Sequence, residues 1–227
     1  MPAATITITT MMTTTTITER QALLRLLAWL SPAFPTGAFA YSHGLEWAVE
    51  AGDVTDGESL RRWVEDVLRH GSGRSDLILL RHAHRNAARA AELGALFRAM
   101  TPSRERRDEA IYQGRAFVAA VAAWGEGQPD DSPYAVAVGA AAFAIGEDTV
   151  AVAYLQAFAA NLISAAVRLV PLGQTTGLRV LAALEPTIIA VADETQDATL
   201  EDIGGCAFRS DLAAMRHETQ YTRLFRS

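Results

Sequence analysis

Leu60, Trp63, Val64, Val67 and Leu68 recur at steps of three and four residues, while Arg61, Arg62, Glu65, Asp66 and Arg69 take the other side. That period is the signature of a helix with one apolar stripe. A chain that repeats it with no convincing strand pair hides its apolar faces by packing helix on helix. The expected class is therefore all-α: a single-domain bundle of roughly nine to ten helices with a C-terminal tail.

The punctuation follows the same logic. Thr55 with Glu58 reads as a capping box, and Gly71 and Gly73 read as the stop. Arg81, Arg85 and Arg89 form an i, i+4, i+8 stripe, expected as the solvated face of a helix over 74–91. A short helix covers 93–100, and Thr101-Pro102 opens the next one, which buries Ile111, Phe117, Val118, Val121 and Trp124. After a polar loop over 125–133 come two alanine-rich helices, 134–145 and 147–170, the second ended by Pro171. A helix after Gln174 breaks near Glu185 at Pro186. At the front, a leucine-rich helix over 19–30 is interrupted by Ser31-Pro-Ala-Phe-Pro-Thr-Gly37 and resumes over 39–51.

Three segments emerge. Residues 1–18 are threonine-rich, with neither the basic nor the apolar region of a secretory signal, and read as a disordered tail. Residues 19–205 form the helical domain. Residues 206–227 follow Gly204-Gly205 and a polar, acidic stretch that reads as a hinge. The uncharged run over 149–167 approaches the length of a membrane span, but Gln156, Asn161 and Ser164 interrupt it, so it reads as a buried central helix.

Chemistry is scarce. The net charge is −6 and lysine is absent, which argues against nucleic acid as a partner and excludes a P-loop lysine and Schiff-base chemistry. His82 and His84 point roughly 200° apart on a helix. His43, His70 and His217 lie far from them in sequence, and no metal-ligand spacing occurs. Ser42 and His43 are adjacent and diverge on a helix. The lone cysteine, Cys206, reads as a buried or incidental thiol in a reducing compartment. No catalytic residue, metal or cofactor is expected, and the protein is read as a cytoplasmic binding protein rather than an enzyme. The tail carries that reading. Leu212, Met215, Tyr221, Leu224 and Phe225 stand at helical spacing, Glu218 and Thr219 break the stripe, and Arg209, Arg216, Arg223 and Arg226 add donors. Exposed Tyr, Phe and Arg dominate interface energies, so the tail is expected to be mobile and ordered by a partner.

Three stretches bear a resemblance. They are Leu30-Ser-Pro-Ala-Phe-Pro-Thr-Gly-Ala-Phe-Ala-Tyr-Ser-His-Gly-Leu-Glu46, Pro171-Leu-Gly-Gln-Thr-Thr-Gly177 and Met215-Arg-His-Glu-Thr-Gln-Tyr-Thr-Arg-Leu-Phe-Arg-Ser227. In order and spacing they resemble the urease accessory protein F (UreF) family, from about Arg20 to Ser227. Ala38 and Phe34 stand where family members often carry glycine and leucine. The resemblance implies an all-helical homodimer without its own cofactor. It implies a chaperone subunit for GTP-dependent nickel insertion that binds the urease accessory D/H-type protein, the nickel-carrying GTPase UreG and apo-urease. By the same match, Arg216, His217, Glu218, Thr219, Gln220, Tyr221, Arg223, Leu224, Phe225 and Arg226 are expected to contact the D/H-type partner. Pro35, Gly37, Tyr41, Ser42, His43 and Gly44 are expected to form a structural or interface turn. The alternative is a direct regulator of the GTPase that lends it Arg179, Arg216 or Arg223.

Overall fold

A computed structural model describes residues 17–125 and 131–227. The expectations for residues 1–16 and for the loop over 126–130 lie outside the described residues. Among these, eleven α-helices and four 3-10 turns occur and no strand. The all-α reading holds. The eleventh helix falls in the segment read from sequence as a tail.

The helices are α1 (Glu19–Trp29), α2 (Leu45–Glu50), α3 (Gly57–His70), α4 (Ser72–Arg85), α5 (Ala90–Met100) and α6 (Arg104–Val121). They continue as α7 (Tyr134–Ala141), α8 (Glu147–Leu169), α9 (Gln174–Ala183), α10 (Glu185–Glu194) and α11 (Phe208–His217). Thr18 begins α1 with a capping box: its hydroxyl accepts from the Gln21 amide at 3.3 Å, and the Gln21 carboxamide oxygen accepts from the Thr18 amide at 2.9 Å. For α3 the box lies one residue later than expected, between Asp56 and Ser59. Asp56 wins because its carboxylate accepts from the Ser59 amide at 2.8 Å, and a carboxylate is the stronger acceptor. Gly71 does stop α3, but Gly73 is already inside α4. Ser103, not Thr101, caps α6. The stretch expected as a helix over 39–51 divides into a 3-10 turn (Ala38–Ala40) and α2, separated by an extended Tyr41 and a tight turn.

The uncharged run is the core. Helix α8 buries Val150, Ala151, Tyr154, Leu155, Ala159, Leu162, Ile163, Ala165 and Ala166, and it packs against α2, α3, α4, α9 and α10. Glu147–Leu169 and the stretch Gln174–Glu194 are each long and apolar enough to cross a membrane, with 50% and 39% of their most apolar windows buried in the fold. Small residues set the spacing elsewhere. A Cβ added to Gly139 of α7 would lie 2.2 Å from the Leu80 carbonyl oxygen of α4, and one on Gly114 of α6 would lie 2.0 Å from the Ser132 carbonyl.

Arg81 corrects the solvated-stripe reading. It is 1% exposed, donates to Glu147 at 2.6 Å and Asp148 at 2.9 Å, and reaches the Ala192 carbonyl at 2.8 Å. These bonds, made by the two terminal nitrogens while Nε stays buried without a partner, tie α4 to the start of α8 and the end of α10. Cys206 is exposed rather than buried.

Candidate partner-binding surface

The turn before α2 is tight because two successive residues adopt left-handed backbone. His43 has φ 60° and Gly44 φ 76°. A Cβ at Gly44 would also sit 2.6 Å from the Ala214 nitrogen of α11, so this position requires glycine on two counts. The turn thereby brings the start of α2 against α11, and the chain beyond α11 doubles back along it. The Arg226 amide donates to the Ala40 carbonyl at 2.8 Å, and the Ser42 amide donates to the Ser227 carbonyl at 2.7 Å. The Ser42 hydroxyl donates to the same oxygen.

Carboxylates from α2 and α6 hold this returning segment. Glu46 accepts from the amides of Leu224 at 2.7 Å and Phe225 at 2.9 Å. His217, with no exposed surface, bridges Glu105 (Nδ1, 2.6 Å) and Glu46 (Nε2, 3.2 Å). Arg223 donates to the other Glu105 oxygen at 2.6 Å. The Ser227 hydroxyl donates to Glu109 at 2.8 Å, and Gln220 donates to Glu50. Glu218 accepts from the Arg104 amide at 2.7 Å, supplying a negative group at the N-terminus of α6.

Deeper in, Arg106 pairs with Asp76, and the Tyr154 hydroxyl donates to Asp76 at 3.1 Å. Burial pushes the Asp76 carboxyl above its usual range against the pull of Arg106. Burial, the largest single influence, would also raise Glu109, but the charge and hydrogen bonding of His43, the charge of Arg106 and the Ser227 hydrogen bond together outweigh it. Glu109 is held below the ordinary range. The His43 Nε2 lies 2.6 Å from the Ser72 hydroxyl, and its Nδ1 is 3.6 Å from Glu109.

The residues expected on a partner surface therefore divide. His217, Gln220 and Phe225 are buried in this chain's own core rather than presented outward. Their polar groups find carboxylates there, and Phe225 packs within the apolar cluster. Arg216, Thr219, Tyr221, Arg223, Leu224 and Arg226 are exposed, and Glu218 is half-buried. Tyr221 projects wholly into solvent, and Leu224 is 68% exposed. Phe208, Leu212 and Met215 extend this apolar surface along the outer face of α11. Arg168 lies 3.8 Å from the exposed Phe39 ring and 4.3 Å from Phe225, joining the outer face to the buried one. In the turn, Pro35 and Gly37 are exposed, while Tyr41, Ser42, His43 and Gly44 are buried and act as its foundation. The Pro171–Gly177 stretch forms the corner between α8 and α9, where a Cβ on Gly177 would lie 2.9 Å from Val167. Among the arginines considered for a GTPase, Arg179 and Arg216 are exposed. Arg223 is engaged by Glu105.

Sequence reasoning missed the sockets: Glu46, Glu105 and Glu109 as anchors, with Arg106 and Asp76 beneath them. One signal was available. Stepping back from Phe117 by fours gives Gln113, Glu109 and Glu105, so the buried face of α6 ends in acidic residues. Among the described residues, no group of three His, Cys, Asp or Glu side chains is arranged to hold a metal ion.

The fold and this surface define a class: an all-α protein whose last segment is clasped to its core by acidic sockets and displays an aromatic and aliphatic outer face. The UreF family profile matches residues 54–185. The urease accessory protein UreF of Bradyrhizobium sp. (strain BTAi1 / ATCC BAA-1182) is 51% identical over 224 residues, covering 92% of this chain and 93% of that protein. Its namesake in Cereibacter sphaeroides (strain KD131 / KCTC 12085) is 55% identical over 208 residues, covering 91% and 99%. That of Azorhizobium caulinodans is 50% identical over 221 residues, covering 90% and 95%. The chain belongs to the UreF family.

Proposed function

We propose that this chain serves urease maturation as a cytoplasmic, non-catalytic scaffold for GTP-dependent nickel insertion. The scaffold links the D/H-type accessory protein, the nickel-carrying GTPase UreG and apo-urease, and it works as a homodimer. Nickel is cargo of the assembly. The observation that carries this reading is the clasped segment. Its inner side chains His217, Gln220 and Arg223 are held by carboxylates, yet Tyr221 and Leu224 remain on the outside, where an ordered apolar pair favours docking another protein. The names of the relatives, urease accessory protein, support the process to which the docking belongs.

Deleting the gene and restoring it on a plasmid tests the reading. Urease purified from the deletion strain should carry little nickel and recover it on complementation. Normal nickel content without the gene would refute the proposal.

A further inference from the structure

The fold gives His43 a serine that the sequence does not. Ser42, its neighbour along the chain, turns its hydroxyl to the Ser227 carbonyl. Ser72, twenty-nine residues on, sets its hydroxyl 2.6 Å from His43 Nε2. The other ring nitrogen, Nδ1, is buried without a hydrogen bond and faces Glu109 at 3.6 Å. In the neutral ring, that carboxylate favours the tautomer with its proton on Nδ1, which leaves the Nε2 lone pair for the Ser72 hydroxyl. Phe158 holds the ring in place, packed edge-on against it with centroids 5.4 Å apart. The left-handed backbone of His43, φ 60°, is a strained conformation of the kind that gathers at functional sites.

Ser72 is half-buried, and with His43 it lines a cavity of about 140 Å³ between α4, α5 and α11. It is the first residue of α4, whose N-cap, Gly71, supplies no side-chain hydrogen bond. The amides of Ser72, Gly73 and Arg74 therefore carry N–H groups that the helix itself does not use. They lie beside the hydroxyl, where negative charge would develop on an attacked carbonyl oxygen. Another wall of the cavity is apolar, with Leu79, Leu96, Phe97 and Met100. The acidic groups in the lining face basic ones, Asp76 against Arg106 and Asp211 against His43, so the cavity suits a neutral reactant. One water needs about 10–15 Å³ on this measure, so the space takes roughly ten water-sized groups, room for a short acyl chain but not a fatty one.

We propose that Ser72 is an activated nucleophile, acylated by short-chain activated esters with His43 as its base. Ser72 Oγ bonds to the acyl carbon while its proton passes to His43 Nε2. The bond from the acyl carbon to the leaving oxygen breaks, and the departing alkoxide takes that proton and leaves as the alcohol. The products are acyl-Ser72 and one alcohol. The proposal does not rest on the scaffold reading, and urease nickel content does not score it.

The test is incubation of the full chain with p-nitrophenyl butyrate. The expected result is a burst of one p-nitrophenolate per chain and, after an acid quench, an intact mass higher by one butyryl group. Peptide mapping should place that group on Ser72 and not on Ser75, which lines the same cavity. Acylation should run at least about 100-fold faster than that of N-acetylserine amide under the same conditions, the low end of what a positioned base supplies. p-Nitrophenyl palmitate should leave the chain unlabelled. Ser72→Ala should abolish the burst. His43→Asn, a residue that tolerates left-handed backbone, should slow it at least about 100-fold. Mapping and rate on the wild type decide the matter even where a variant folds poorly. A smaller rate ratio over the free serine amide, label on other serines, or equal labelling by the palmitate ester overturns the proposal.

Discussion

Replacing Glu46 by alanine tests the clasp at its centre. One carboxylate accepts from the Leu224 and Phe225 amides and from His217, and the residue is 8% exposed. Each hydrogen bond to a charged acceptor contributes about 1.5–3 kcal/mol. The three are not additive, because they share one acceptor and sit in one network. Removing one partner of a buried charged set costs about 3–5 kcal/mol, since the groups left behind stay unpaired. The cost falls on a terminal segment that can detach without unfolding α8, so it should appear as local opening. At 1.4 kcal/mol per factor of ten, protection of the Leu224 and Phe225 amides should fall roughly 100- to 3,000-fold. Hydrogen exchange by NMR on wild type and Glu46→Ala measures this, with α8 amides as the internal reference. A loss under tenfold at Leu224 and Phe225 would refute the socket reasoning. An equal loss throughout α8 would show that Glu46 supports the core instead.

Other outcomes follow from the same geometry. Arg81→Ala should lower unfolding free energy by about 1–3 kcal/mol in urea denaturation, because the Ala192 carbonyl loses its buried donor while Glu147 keeps Arg85. Gly139→Ala should cost about 1–3 kcal/mol by thermal melting, since its methyl meets the Leu80 carbonyl. Glu109 is depressed in the folded state, so its contribution is present above the ordinary glutamate value, about 4.3, and is lost as pH falls through the folded value. The stability gap between wild type and Glu109→Gln should therefore shrink from pH 6 toward roughly pH 3. Asp76, raised by burial, has the opposite sign and favours the fold at the acid end, so the stability of wild type relative to Asp76→Asn should rise as pH falls over the same range.

The helices were legible because their apolar faces are local patterns, as in α3 and the stretch from Phe117 to Val121. The errors arose where a partner lies far along the chain. Arg81 shares its stripe with the exposed Arg85 and the half-buried Arg89, and nothing nearby in sequence announces Glu147, sixty-six residues on. The broken stripe at Glu218 and Thr219 likewise has a distant cause. In the structure Glu218 turns aside to meet the start of α6, and the chain reverses there. His217 looked like a surface contact because a lone histidine carries no trace of the two glutamates around it. The outer residues, Tyr221 and Leu224, were named from sequence and stand exposed, while the foundation beneath them required the tertiary fold.

Ending the chain at Gly205 would strip His217 and Phe225 from the core and confound folding with binding. Substituting Tyr221 and Leu224 together by alanine removes outward groups alone. Co-purification of this variant with the D/H-type accessory protein, beside wild type and with the melting temperature of each recorded, is the most direct test of the clasped segment as a docking surface. The expected result is unchanged melting with affinity reduced at least tenfold, the loss of one to two hot-spot side chains at about 1–2 kcal/mol each. Equal recovery of the partner by the folded variant would contradict it.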